Sequence, residues 1–289
     1  MKASIQNISE KVMSELYVVA TPIGNLSDIS ARAIEILKKV DLIAAEDTRH
    51  SSRLLNHLGI QKTMLSYHDH NEGQQTQNLL EKLKAGQVVA LISDAGTPLI
   101  SDPGYQLVRQ AHENNITVIP VPGPCALITA LSASGLPSDR FTFEGFLPSK
   151  QRARVECLER LKNESRTIIF YESTHRIVAS LADMADVFGR DRRAVIAREL
   201  TKTFETLHGD DLGLLCEWVK NDANQQKGEV VVLVRGAEEL PQDETRVEAE
   251  KVLKVLLEEL PVKQAAQLAA KITGGKKNAL YQLALEMKQ

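Results

Sequence analysis

The segment Val88-Val-Ala-Leu-Ile-Ser-Asp-Ala-Gly-Thr-Pro-Leu-Ile-Ser-Asp-Pro-Gly104 narrows the possible folds more than any other part of the chain. Residues 88–92 have the length and unbroken apolarity of a strand buried on both faces of a parallel sheet. The chain then breaks into Ser93-Asp-Ala-Gly-Thr-Pro98. Next, Asp102-Pro103 offers an N-cap acceptor followed by proline for a first helical position. A strand, a tight bend and a helix start in this order put the bend at the carboxyl end of a strand, where open α/β sheets take up ligands. Gly96 admits backbone angles that other residues resist and lets a ligand approach the main chain. A connection that merely turns looks the same locally, so the decision rests on the other strand ends.

Short apolar runs alternate with helical patterns along most of the chain. Strands are expected at 16–20, 41–45, 64–67, 88–92 and 116–121, with helices at 31–39, 51–58, 74–85 and 104–114 between them. That rhythm predicts a mostly parallel sheet covered on both faces. Three prolines in Pro120-Val-Pro-Gly-Pro124 make a stiff connection and a plausible change of domain. A second set follows: helices 124–134, 152–162, 174–188 and 212–220, and strands 141–146, 167–171, 194–198 and 229–234. The expected organisation is a polar extension at 1–14, α/β domains at 15–121 and 122–236, a polar linker at 236–243, and a helical module at 244–289.

That module has no strand signal and reads as helices at 244–259, 262–272 and 277–287. Thr273-Gly274-Gly275 turns between the last two, as in a helix-turn-helix. From Thr245 onward eight Lys/Arg stand against five Asp/Glu, whereas the whole chain carries a net charge of −3. This local basic bias makes the module a candidate nucleic-acid contact beside the plainer role of a helical cap. No apolar run approaches the roughly 18 residues needed to cross a bilayer, and the first 14 residues lack a signal-peptide core. Cys125, Cys157 and Cys216 are odd in number and far apart, which argues against a disulfide framework or zinc site and for a cytoplasmic setting.

Polar clusters follow five of the expected strands or turns: Thr21-Pro-Ile-Gly-Asn25, Glu46-Asp-Thr-Arg-His50, His68-Asp-His-Asn71, Glu172-Ser-Thr-His-Arg176 and Arg198-Glu-Leu-Thr-Lys202. One such cluster is most often a solvated helix start. Five on parallel strands are expected to gather along one sheet edge and line a cleft. No P-loop, no dinucleotide-binding glycine fingerprint and no nucleophile elbow is present. His68 and His70 lack a third metal ligand at a usual spacing, so no metal is expected.

Ser93–Gly104, together with Thr21-Pro-Ile-Gly-Asn-Leu26 and Glu46-Asp-Thr-Arg-His50, resembles the tetrapyrrole methylase superfamily. Pro122-Gly-Pro-Cys-Ala126, Phe170-Tyr-Glu-Ser-Thr-His-Arg176, Arg198-Glu-Leu-Thr-Lys-Thr203 and Lys227-Gly-Glu229 extend the likeness in order, and they match its ribosomal-RNA-modifying branch. Tetrapyrrole-modifying members carry glycine-rich loops where this chain has Ala20-Thr-Pro-Ile-Gly24 and Gly96-Thr-Pro98, a departure that disfavours a macrocyclic substrate.

The resemblance implies two α/β domains gripping S-adenosylmethionine, a homodimer, and methylation of a cytidine ribose 2′-hydroxyl in the decoding centre of 16S rRNA, free or in the small subunit. By position it implies that Asp94, Ala95, Gly96, Thr97, Leu99 and Ile100 wrap the methionine end, with Cys125 and Ala126 beside them. Tyr171, Glu172, Arg198, Leu200, Gly228, Glu229 and Val230 are then expected to hold the adenosine. Glu46 and His50 are the candidate general bases. Thr21, Asn25, Arg49, Arg176 and Lys202 are candidates to meet the RNA, as are Lys150, Arg152 and Arg154. Two rivals share these features: a methyltransferase of a macrocycle or protein side chain, and a non-catalytic RNA-binding protein that keeps the fold.

Overall fold

The computed structural model describes residues 14–237 and 242–287, so nearly all of the expected 1–14 extension and the middle of the expected linker lie outside the described residues. Strands β1 (Glu15–Val19), β2 (Leu42–Ala45), β3 (Thr63–Ser66), β4 (Val89–Ile92) and β5 (Thr117–Val121) form one sheet in the order β3-β2-β4-β1-β5. Every pairing in it is parallel. Helices α1 (Ala31–Lys39), α2 (Thr48–His57), α3 (Glu72–Lys84) and α4 (Tyr105–Glu113) connect the strands.

Successive strand side chains point to opposite faces, and that period sorts the core. Leu42, Ala44, Val89 and Leu91 pack with Leu79 and Leu83 of α3 and Leu107 of α4. Their neighbours Ile43, Ala45, Ala90 and Ile92 pack with Ala33 and Leu37 of α1 and Leu55 of α2. Covering both faces is what makes these strands read as continuous apolar runs. Each fully buried Leu or Ile contributes about 1.5–3 kcal/mol relative to exposure.

The second half adds α5 (Ala126–Ser134), β6 (Phe141–Phe146), α6 (Gln151–Leu161), β7 (Thr167–Ser173), α7 (Ile177–Phe188) and β8 (Arg193–Arg198). It continues with β9 (Thr206–Asp211), α8 (Leu212–Asn221) and β10 (Glu229–Val234). Its sheet runs β6-β7-β10-β8-β9, parallel only between β6 and β7. Strand β10 is antiparallel to both neighbours, and β9 is antiparallel to β8. The five polar strand ends therefore do not share one sheet edge; they belong to two sheets. Strand β9 was not foreseen, because Thr206-Leu-His-Gly-Asp-Asp211 is a half-exposed edge strand with no apolar run.

One face of this sheet carries Ile168, Phe170, Ile196 and Val232 against α6, α7 and α8. The opposite face, with Ile169, Tyr171, Val195, Ala197 and Val231, receives, among the described residues, α5 as its one helical cover. Ile23 and Ile100, from loops of the first sheet, pack on the same face and bring the two sheets together.

The remaining helices, α9 (Gln242–Glu259), α10 (Val262–Thr273) and α11 (Lys277–Glu286), form a separate compact unit. Leu253, Ala265, Ala269, Leu280 and Leu283 are its core. Gly274 takes the left-handed conformation, φ 72°, that ends α10, and its N–H donates to Ala270 O at 3.1 Å. No helix among the described residues is long and apolar enough to cross a membrane.

Candidate active site

The bend after β4 is built differently from the helix start its sequence suggests. Leu99 and Ser101 have φ of 73° and 65°, and Gly104 has 134°. The chain consequently keeps turning through Asp102-Pro103, and α4 begins only at Tyr105, with Gly104 as N-cap. The expected N-cap role of Asp102 falls to Glu72 of α3, whose Oε1 accepts from Gly104 N at 3.2 Å and Gln106 N at 3.3 Å. Asp102 instead lines a cavity.

Other bonds hold the bend in place. Thr21 and Gly96 exchange backbone hydrogen bonds, Thr21 N to Gly96 O at 2.9 Å and Gly96 N to Thr21 O at 3.1 Å. Thr21 Oγ1 donates to Ser93 O at 3.1 Å, and Thr97 Oγ1 donates to Pro124 O at 2.9 Å. Asp94 Oδ1 accepts from Asp47 N at 3.0 Å, tying the bend to the end of β2. Left-handed non-glycine residues cost about 1–3 kcal/mol each and persist where their surroundings over-determine them.

A cavity of about 480 Å³ lies between this bend and the sparsely covered face of the second sheet. Of the residues expected to hold the cofactor, it brings together Asp94, Ala95, Gly96, Thr97, Ile100, Ala126, Tyr171, Glu172, Leu200, Gly228, Glu229 and Val230, and Glu46 joins them. Tyr171 Oη accepts from Leu127 N at 3.2 Å, so it also fixes the start of α5. Gly228 has φ 87°, and a Cβ there would strike the Glu199 carboxylate, which accepts from Glu229 N at 2.9 Å.

Several of the expected contact residues lie outside the cavity lining or are engaged in other bonds. Leu99 is outside the cavity and packs on the core of the first sheet. Cys125 caps α5 and packs into the α5 core rather than lining the cavity. Arg198 is buried and donates to Gln225, Lys227 O, Phe204 O and Thr206, a structural knot outside the lining. Glu172 lines the cavity with its carboxylate already accepting from Ser173 N and Arg176 Nη2 at Oε1 and from Ser180 Oγ at Oε2. His50 is exposed on α2, outside the cavity.

Among the expected RNA contacts, Thr21 is buried in the bend and Asn25 caps the short turn Leu26–Asp28 by accepting from Ser27 N. Arg154 is 4% exposed, with Nε donating to Asp183 Oδ2 at 2.6 Å, so it holds α6 to α7 and is withdrawn from any surface. Arg176 pairs with Glu172, and Lys202 pairs with Glu199 and Glu229. Lys150, Arg49 and Arg152 remain exposed, the last two beside Asp47 and Glu156.

The electrostatics concentrate on one wall. Burial, together with Asp102 and Asp94, pushes Glu46 up to about 7. Burial, with Asp94 and Asp69 against the counteracting Ser93 bond, pushes Asp102 up to about 6. Carboxyls crowded in this way lack a cationic counterpart. Asp102 reads locally as a cap, and nothing in the local pattern marks Phe146, which also lines the cavity.

Solved structures share this two-sheet fold. The chain superimposes with a TM-score of 0.58 on a diphthine synthase, at 14% identity over 76% of this chain and 90% of that one. A uroporphyrin-III-C-methyltransferase from Thermus thermophilus gives 0.53 at 16% identity, over 77% and 94%. The chain thus shares the two-sheet α/β fold of these structures.

The chain belongs to the tetrapyrrole (corrin/porphyrin) methylases, which it matches over residues 15–215. Residues 243–288 match the RsmI C-terminal HTH domain. It is 56% identical over 282 residues to a ribosomal RNA small subunit methyltransferase I of Escherichia coli O157:H7, covering 96% of this chain and 97% of that one. It is 59% identical over 273 residues to the protein of that name from Pseudomonas aeruginosa, covering 94% and 96%.

The family's methyl donor is S-adenosylmethionine, and the cavity fits it on its own chemistry. The volume lies in the range of small-molecule sites. Two half-buried carboxyls with raised pKa suit a sulfonium cation. Gly96 and Gly228 both line the cavity in left-handed conformations, φ 85° and 87°, where an L side chain would be strained.

Proposed function

We propose that this protein transfers the S-adenosylmethionine methyl group to the ribose 2′-hydroxyl of a cytidine in 16S rRNA. The observation that carries this reading is the cavity itself: a wall of carboxyls on one side and an apolar sheet face on the other, in a chain more than half identical to small-subunit ribosomal RNA methyltransferases. When bound, S-adenosylmethionine supplies a sulfonium-activated methyl. The chain's own task is then alignment, to which near-attack positioning contributes about 7–11 kcal/mol.

In this reading the 94–97 bend and Ala126 hold the methionine end, while Tyr171, Leu200 and the Gly228–Val230 start of β10 hold the adenosine. Glu46 accepts the 2′-hydroxyl proton, since burial and its acidic neighbours give it a proton affinity near neutrality. His50 lies outside the cavity and has no part in the step. Lys150, Arg49 and Arg152, with the helical module, meet RNA phosphates. The protein works in the cytoplasm as a homodimer, and the exposure of Phe204 and Leu207 supports such a partner surface; sedimentation measures it.

Purified protein, labelled S-adenosylmethionine and small ribosomal subunits test the reading, followed by mass spectrometry of 16S rRNA fragments from cells with and without the gene. The expected result is one cytidine that gains a ribose methyl. Label transfer to a protein or a macrocycle and not to RNA would overturn it.

A further inference from the structure

Phe146 is a large apolar side chain that the fold takes trouble to expose. It lies at the end of β6, 55% exposed, on the rim of the cavity. In an unbroken strand, residues three apart point to opposite faces. Phe143 packs on the cavity-side face with Ile169 and Tyr171, so regular alternation would send Phe146 to the far face.

A β-bulge prevents this. Phe143 pairs with Ile169, Gly145 with Phe170 and Phe146 with Tyr171, leaving Glu144 as the extra residue. Gly145 has φ 66°, a left-handed conformation that favours glycine, and lies against Ser101 of the bend, where an added Cβ would stand 3.4 Å from Oγ. Phe146 thereby returns to the cavity side. Its ring makes a T-shaped contact with Tyr171, 5.6 Å between centroids at 63°, and the side chain keeps 55% of its surface exposed.

Resting on the RNA-methylating reading above, we propose that Phe146 is the stacking platform for the base of the target nucleotide. A ribose hydroxyl reaches a methyl group inside a cavity only if its nucleotide leaves the helical stack, which costs a few kcal/mol. Aromatic side chains offset that loss by stacking on the freed base. The rim position selects the RNA base over the donor's adenine. The buried lining residues Ala197, Leu200 and Val231 would enclose the donor, whereas Phe146 is 55% exposed.

The test measures methyl transfer to small ribosomal subunits, and donor affinity by calorimetry, in wild type, Phe146→Ala, Phe146→Leu, Phe146→Tyr and Phe146→Trp. Stacking of one base predicts a loss of about 5- to 150-fold in kcat/KM for RNA in Phe146→Ala. Phe146→Leu loses nearly as much despite keeping apolar bulk, Tyr and Trp restore activity, and donor affinity is unmoved throughout. Quenching of the new tryptophan on addition of the subunits, above the background of Trp218, is the structural signature. Leu performing like Phe, or donor affinity falling in step with RNA activity, overturns the assignment. Wild-type protein that methylates no RNA defeats the underlying reading instead, whatever the variants do.

Discussion

The two sheets expose themselves in different ways. The first is covered by helices on both faces, so its open region is the carboxyl edge, from which loops deliver backbone groups and the carboxyls of Glu46, Asp94 and Asp102. The second is covered by three helices on one face and by α5 on the other, so part of a flat apolar face stays open. The two carboxyls with raised pKa come from the edge and most of the apolar surface from the face, while Glu172 and Glu229 of the second sheet and Ile23 and Ile100 of the first also line the cavity. A sulfonium donor with an aromatic base carries both kinds of surface.

Glu46→Gln breaks the charged side of this comparison and carries the largest expected effect. Turnover on RNA falls about 10²- to 10⁴-fold if the carboxylate is the base, while His50→Ala stays near wild type. The wild-type rate rises with pH through about 7, as Glu46 ionises, and the variant loses that rise. Steady-state kinetics across pH check both statements; full activity in Glu46→Gln removes the base.

Adjacent residues of β7 sharpen the apolar side. Phe170 is fully buried on the closed face, and Phe170→Ala is expected to destabilise by about 3–5 kcal/mol in denaturant unfolding. Tyr171 points to the open face, and Tyr171→Phe removes the acceptor of Leu127 N, costing about 1 kcal/mol. The second variant weakens donor binding more than the fold. Equal stability losses would mean the two faces are equally closed.

A smaller effect follows from proton linkage. Glu46 and Asp102 have carboxyls raised above their unfolded values, so the native state holds protons that the unfolded state releases. That contribution is complete below the ordinary carboxyl range and is lost as pH rises towards about 6 and 7. Ligand-free protein is therefore expected to lose thermal stability between about pH 4 and pH 7, and Glu46→Gln to lose less. Donor, being cationic, reverses part of the loss, and its demethylated product does not.

The first sheet was legible because burial on both faces writes itself as apolar runs, and Val89–Ile92 and Leu42–Ala45 are such runs. Edge strand β9 was not, since its residues are half-exposed and follow no apolar pattern. The bend was legible as a bend, but Asp102-Pro103 carried the local marks of a helix start. Only the distant Glu72, one sheet connection earlier, decides that the helix begins later. The same limit hid Arg154: a charged residue reads as surface until its partner Asp183, 29 positions on, is known. Phe146 needed the register of β6 against β7, which no single strand contains.

Arg152 and Arg154 give the least dramatic comparison and a discriminating one. They are two residues apart on α6, one with a 93% exposed side chain and one with 4%. Removing half of a buried pair costs about 3–5 kcal/mol, so Arg154→Ala is expected to lower stability sharply and to affect RNA binding only through the fold. The Arg152 pair with Glu156 is solvated, so Arg152→Ala stays within about 1 kcal/mol of wild type. If Arg152 meets a phosphate, its loss weakens RNA binding evenly and reduces the salt slope by about one. Binding titrations at several salt concentrations read that slope, and an unchanged slope would make the exposed arginine a solvated helix face and nothing more.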